Sequence, residues 1–240
     1  KIRYLTMMNN KKIDLYADGL TLGEFNKDYG ITIDGYTFNP SIFRKSGAKD
    51  YLDYSKKILS NTGSKPVSLE VIADEEASMI KQAKTLSSLS ENVFVKIPIT
   101  FTNKKFTDAV IKKLVEEKIK LNITALFSIE QIKQILPIIK DTETILSVFA
   151  GRIFDCGQDA NKIMREICQI AKNDSKCRVL WASPRMPYDY ISAIDCGAQI
   201  ITMQLTQIKK LKMFNKNLEE YSLETVKQFY NDAKESGFSF

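Results

Sequence analysis

Residues 93–127 read VFVKIPITFTNKKFTDAVIKKLVEEKIKLNITALF. A short apolar run, VFVKIP, opens the stretch, a segment of helical period, FTDAVIKKLVEE, follows, and a second β-rich run, KLNITALF, closes it. Strand, helix and strand in so short a span is the unit from which parallel sheets are built. Within VFVKIP, alternation places Val93, Val95 and Ile97 on one face and Phe94 and Lys96 on the other. A buried ammonium is costly unless it is paired, so Lys96 needs a reason to be there.

The same pattern extends in both directions. The strand-like runs are KIDLYA, GYTF, PVSLEV, VFVKIP, KLNITALF, TILSVFAG, CRVLWAS and QIITM. Between them lie YLDYSKKILSN, EEASMIKQAKTLSSL, FTDAVIKKLVEE, IEQIKQILPIIK and ANKIMREICQIAK, followed by helical stretches around YDYISAIDC and QIKKLKMF. SLETVKQFYNDAKES closes the chain as an amphipathic helix. This order predicts an α/β protein, a single-domain (β/α)8 TIM barrel spanning 1–240. An open doubly wound sheet is the competing architecture. It usually has fewer strands at this length, and no Gly-rich phosphate fingerprint follows the first run.

Composition narrows the chemistry. The chain has 240 residues, 44% of them hydrophobic, enough to bury a sizeable core. No apolar run approaches the roughly 18 residues of a membrane span, and the opening KIRYLTMMNNKK has no apolar signal region. The expectation is a cytoplasmic protein with no membrane partner. The four cysteines, Cys156, Cys168, Cys177 and Cys196, show no CxxC spacing and read as reduced packing residues. Histidine is absent, which excludes His-activated nucleophiles and argues against a catalytic metal site of the usual kinds. The net charge of +6 is spread over lysines mixed with glutamates, so no nucleic-acid partner is expected.

Parallel strands covered by helices are normally apolar on both faces, and several of these runs are not. Ser68 and Glu70 oppose Val67, Leu69 and Val71; Asn122 and Thr124 oppose Leu121, Ile123 and Ala125. Ser147 shares a phase with Phe149, and Ser183 with Trp181. If the apolar phase faces the helices, the polar phase points into the barrel near the carboxyl ends of the strands, where such barrels place their chemistry. An antiparallel sheet with one wet face is the alternative, as is a strand-edge lysine whose stem snorkels to water. With Glu70, Asn122 and Thr124 beside it, Lys96 reads as reactive. Partial desolvation disfavours an ammonium and leaves an amine able to attack a carbonyl.

At this point the segments TFNPS, SLEV, VKIP, LNITALFS, FAGRI and ASPR resemble, in order and over nearly the whole chain, the signature segments of the transaldolase family. The length is similar to its small transaldolase and fructose-6-phosphate aldolase branch. The resemblance implies a class I aldolase-type barrel in carbohydrate metabolism of the pentose phosphate kind, acting on sugar phosphates. Lys96 would form a Schiff base with a ketose phosphate, and Asp18 would take the proton whose loss cleaves the C–C bond. Glu70 and Thr124 would hold a water that shuttles protons, with Glu70 acting through that water and not by direct contact with Lys96. Asn39, Asn122 and Ser147 would bind the donor's hydroxyls, and Phe149 would stand beside the nucleophilic carbon. Arg152, Ser183 and Arg185 would bind the distal phosphate, a surface salt bridge being the alternative for each arginine. No metal and no organic cofactor is implied, since the lysine itself stabilises the carbanion.

Local sequence fits those roles. Asn39 precedes Pro40 and should be extended, with Ser41 as the cap of a following helix. Asp18 follows an apolar run at a rim where it can stay ionised. Glu70 with Phe149 looks like the transaldolase pattern, whereas aldolases that release dihydroxyacetone typically have Gln and Tyr there. Such a lyase, and a silent sugar-phosphate-binding barrel, are the alternatives. This chain departs from the family pattern at Phe38, usually Thr, at Pro184, usually aromatic, and at Gly19, usually Thr or Ser. The family also implies a homo-oligomer, a ring of ten or a dimer, with the C-terminal helix ending GFSF available to dock on a neighbour.

Overall fold

The computed structural model describes residues 13–238. Lys12 of the first run, the stretch before it, and Ser239 and Phe240 of GFSF lie outside those residues.

Eight parallel strands close into one barrel in sequence order. They are β1 (Asp14–Asp18), β2 (Gly35–Thr37), β3 (Val67–Glu70), β4 (Val93–Pro98), β5 (Leu121–Leu126), β6 (Ile145–Val148), β7 (Arg178–Trp181) and β8 (Ile200–Met203). Around them run α1 (Pro40–Lys45), α2 (Tyr51–Leu59), α3 (Glu76–Ser87), α4 (Asp108–Glu116), α5 (Ile129–Ile139), α6 (Ala150–Asp155), α7 (Ala160–Asp174), α8 (Asp189–Cys196), α9 (Leu205–Lys210) and α10 (Leu218–Ser236). Closure pairs β1 with β8, which removes both sheet edges. No helix among the described residues is long and apolar enough to cross a membrane.

The alternation sorts side chains between two cores. Leu69, Val95 and Ile123 are wholly buried in the layer between strands and helices, each contributing about 1.5–3 kcal/mol of burial. The other phase points inward. Tyr16, Ile145, Leu180 and Ile200 form a small apolar cluster inside the barrel, with Phe94 packed against it. Gly35 makes room for this cluster, because a Cβ there would stand 2.6 Å from the Tyr16 ring.

Three expectations need correcting. Trp181 does not share the inward phase: it packs outward against Phe154, at 6.1 Å between ring centroids, while Leu180 and Ala182 face inward. Ser183 takes a left-handed backbone (φ 58°), which breaks the alternation just past the strand. The cap of α1 is Asn39, whose Oδ1 accepts from the Ile42 N–H at 3.0 Å; Pro40 occupies the first helical position and Ser41 lies inside the helix. Cys156 is exposed and so is not a packing residue, unlike Cys168, Cys177 and Cys196, which are buried free thiols.

Candidate active site

Strand register assembles the centre. In the β3–β4 ladder Glu70 is the partner of Lys96, and in the β4–β5 ladder Lys96 is the partner of Asn122, with Thr124 level with Pro98. Glu70, Asn122 and Thr124 therefore occupy neighbouring inward positions around Lys96, and Glu70 contacts its amine. Just past Thr124 the β5–β6 register shifts, and Ala125 adopts φ 59°. A bulge of this kind bends the strand and re-aims its side chains.

Lys96 is 7% exposed. Its Nζ lies 2.9 Å from Glu70 Oε2 and donates to the Phe38 carbonyl oxygen at 3.2 Å. The expected separation of lysine and carboxylate by water is thus corrected: the two form a direct ion pair, because the register sets them side by side. Thr124 is buried and its Oγ1 makes no hydrogen bond among the described residues.

Asp18 closes β1 on the other side of the same cavity, which measures about 320 Å³ and is also lined by Lys96, Thr124, Ser147 and Phe149. The Thr37 hydroxyl donates to Asp18 Oδ1 at 2.7 Å and lies 2.6 Å from the Thr202 hydroxyl. Burial raises the Asp18 carboxyl above its ordinary range; the Thr37 hydrogen bond and the Lys96 charge oppose that rise, and Glu70 adds to it. Asp18 is thus a half-buried residue tied to Thr37, where its position after an apolar run suggested an open rim.

Asn122 sits one layer below the cavity wall. It is fully buried, its amide donates to Ser68 Oγ at 2.9 Å, and its Oδ1 accepts from Ser147 Oγ at 2.7 Å. Ser147 lines the cavity; Asn122 stands behind it. Asn39 also lines the cavity, in the extended conformation (φ −145°, ψ 166°) that Pro40 imposes.

The arginines stand at the mouth. The Arg152 guanidinium lies 5.1 Å from the Phe149 ring centroid, and that ring packs against Phe127 at 5.6 Å. Arg185 forks onto Asp155 through Nε (2.9 Å to Oδ1) and Nη2 to Oδ2. Its backbone N–H donates to Asp189 Oδ2 at 2.5 Å, and Met186 N–H donates to the same oxygen. Arg185 thus makes the salt bridge given as its alternative while lining the cavity together with Arg152 and Ser183. The β6 and β7 ends that carry these residues approach closely, since a Cβ on Gly151 would lie 1.6 Å from the Ser183 carbonyl oxygen.

Of the departures from the family pattern, Phe38 is wholly buried in the helical layer against Phe43 and does not face the cavity; Pro184 does. Thr37, Thr202, Gln204, Gln207 and Lys45 also line the cavity without having been expected there, as does Ser41, which was expected only as a helix cap. Thr37 and Thr202 carry the polar-in-apolar signal that marked Ser68, within GYTF and QIITM. The two glutamines belong to the start of α9 and carry no such signal.

The sequence profile of the Transaldolase/Fructose-6-phosphate aldolase family matches residues 15–240. A protein of Methanococcus vannielii named "Probable transaldolase" is 37% identical over 193 residues, covering 80% of this chain and 85% of that protein. One of the same name from Caldicellulosiruptor saccharolyticus is 34% identical over 201 residues, covering 82% and 88%. Among solved structures, a 2,3-dimethylmalate lyase superposes with a TM-score of 0.59 at 10% identity, covering 98% of this chain and 88% of that one. The tryptophan synthase α subunit of Campylobacter jejuni gives 0.57 at 15%, covering 90% and 94%. At such identities these two likenesses concern the barrel alone.

Proposed function

The chain belongs to the transaldolase/fructose-6-phosphate aldolase family, and from that premise we propose that it is a transaldolase, moving a dihydroxyacetone unit from a ketose phosphate to an aldose phosphate. The observation that carries this reading is the amine of Lys96, nearly buried at a strand end, paired with Glu70 and sharing one cavity with Asp18 and Thr124.

The Lys96 nitrogen adds to the ketose carbonyl, and loss of water from that adduct leaves a protonated imine. Glu70 receives the proton that Lys96 gives up, and Thr124 Oγ1 holds the water that is lost and later returned. Asp18 takes the proton of the β-hydroxyl; that oxygen becomes the carbonyl of the departing aldose phosphate as the C–C bond breaks. The bonding pair passes to the imine, giving an enamine on Lys96. An acceptor aldehyde reverses these steps, and water then hydrolyses the imine. Asn39 and Ser147 hold donor hydroxyls, Asn122 fixes Ser147, and Arg152, Ser183 and Arg185 bind the phosphate. The imine nitrogen is the electron sink, so this scheme calls on no metal or organic cofactor.

Transfer is favoured over release by Phe149, whose apolar ring is the side chain presented beside the cavity at that position, and by the names of the relatives. In the same reading the protein is a homo-oligomer, a second copy covering the exposed Leu218, Val226, Phe229 and Tyr230 of α10. Turnover of ketose phosphates with and without an aldose phosphate acceptor tests the proposal. Acceptor-dependent turnover is expected; release of free dihydroxyacetone at the same rate without acceptor would make the protein a lyase.

A further inference from the structure

We infer that the Tyr51 hydroxyl positions the reacting amine, by holding the main chain of Glu70 and so leaving the Phe38 carbonyl free for Lys96. The inference rests on the reading of Lys96 as nucleophile and adds to it a residue from outside the cavity.

The β2–β3 ladder shows where the device sits. Tyr36 N–H donates to the Pro66 carbonyl and Phe38 N–H to the Ser68 carbonyl, both at 2.9 Å. In a parallel ladder a residue that donates to one position accepts from the position two further on. The next rung should therefore run from Glu70 N–H to the Phe38 carbonyl. It is absent. Glu70 N–H donates instead to Tyr51 Oη at 3.1 Å, and Tyr51 Oη donates to the Glu70 carbonyl at 2.7 Å. One phenol thus satisfies both backbone groups of a single strand residue, as a neighbouring strand would. The Phe38 carbonyl, released from the sheet, accepts from Lys96 Nζ at 3.2 Å.

The phenol is well placed to hold this position. Tyr51 opens α2, whose cap Asp50 accepts from the Asp53 N–H at 2.7 Å. Its ring lies 4.8 Å from that of Phe43, which packs in turn on Phe38 at 5.5 Å. Phe38, Phe43, Tyr51 and Glu70 form a closed circuit around the missing rung. Without the hydroxyl, the part-buried Glu70 N–H loses its partner, and the Phe38 carbonyl is the acceptor that ladder geometry assigns to it. Closing that rung takes from Lys96 one of its two acceptors and shifts the Glu70 carboxylate with its main chain.

Tyr51→Phe tests this, with Tyr54→Phe as the control. Tyr54 lies on the same helix and packs against the same Phe43 ring, and it takes no part in the hydrogen bonds that replace the missing rung. Borohydride trapping with a ketose phosphate, counted per folded chain, should still reach one fragment per chain in Tyr51→Phe, about tenfold more slowly. KM should stay within about twofold of the parent value. A second measurement needs no sugar: reductive methylation with formaldehyde and cyanoborohydride, read by peptide mass. Lys96 should be labelled about threefold faster in Tyr51→Phe, having lost an acceptor of its ammonium form, with other lysines unchanged. Phe43→Leu, which loosens the ring that steadies Tyr51, should show the same two signs at smaller size and serves if Tyr51→Phe folds poorly. Tyr54→Phe should match the parent in both measurements. Equal trapping and equal Lys96 labelling in the Tyr51 and Tyr54 variants would overturn the inference. If the parent protein traps no ketose phosphate, the transaldolase reading falls, and formaldehyde labelling alone decides the role of Tyr51.

Discussion

Glu70 and Lys96 are register partners across the β3–β4 ladder, and their side chains meet at 2.9 Å inside the barrel. Such a pair is held against the cost of taking both charges out of water, so removing one partner strands the other. Glu70→Gln should lower the unfolding free energy by about 3 kcal/mol at neutral pH and slow imine formation by about 10²-fold. Urea unfolding and single-turnover trapping measure the two. Unchanged stability would mean that water already screens the pair.

Lys96→Met keeps the stem and removes the amine. It should fold, show no turnover, and acquire no sugar fragment with borohydride, whereas the parent is labelled at Lys96 alone. Labelling of the parent at another lysine would remove Lys96 from its role.

Asp18 offers a test in pH. Its carboxyl is raised from the ordinary value of 3.8, chiefly by burial. A raised acid binds more protons folded than unfolded between the two values, so its contribution to stability is present at low pH and is lost as pH rises through the folded value. Asp18→Asn, which cannot ionise, should therefore gain on the parent between pH 4 and pH 7 in urea midpoint, while losing C–C cleavage. A difference that is constant across this range would show Asp18 to be unperturbed.

The mouth arginines should discriminate by charge. Arg152→Ala and Arg185→Ala should each weaken phosphorylated donors by roughly 1.5–3 kcal/mol per bond lost and leave unphosphorylated ketoses nearly unaffected. Asp155→Asn, which releases the Arg185 fork, should lower KM for the phosphorylated donor. Equal effects on both donor types would make these arginines structural.

Phe149→Tyr places a hydroxyl beside the nucleophilic carbon of the proposed enamine. Free dihydroxyacetone should rise relative to transfer product. Unchanged partitioning in a product assay would remove Phe149 as the determinant.

Much of this architecture was legible because apolar runs of period two are hard to mistake when helices separate them. All eight strands follow from it, as does the inward phase of Ser68, Glu70, Lys96, Asn122 and Thr124. The helix Ala150–Asp155 was not, since six residues span fewer than two turns and show no period. Trp181 was misassigned because phase carries past a strand only while the backbone stays extended, and Ser183 does not. Asp155 and Tyr51 act through partners 30 and 19 residues away on other elements, a closeness that only the closed barrel creates.

The apolar cluster around Tyr16 stops the barrel like a cork at one end. On the proposed reaction, the departing aldose and the incoming acceptor share a single doorway, and neither can pass while the other stands in it. The two half-reactions must then alternate strictly, with an excess of either aldose obstructing the other's turn. Parallel lines in double-reciprocal plots, with mutual inhibition at high concentration, are the kinetic shape of a vessel with one opening.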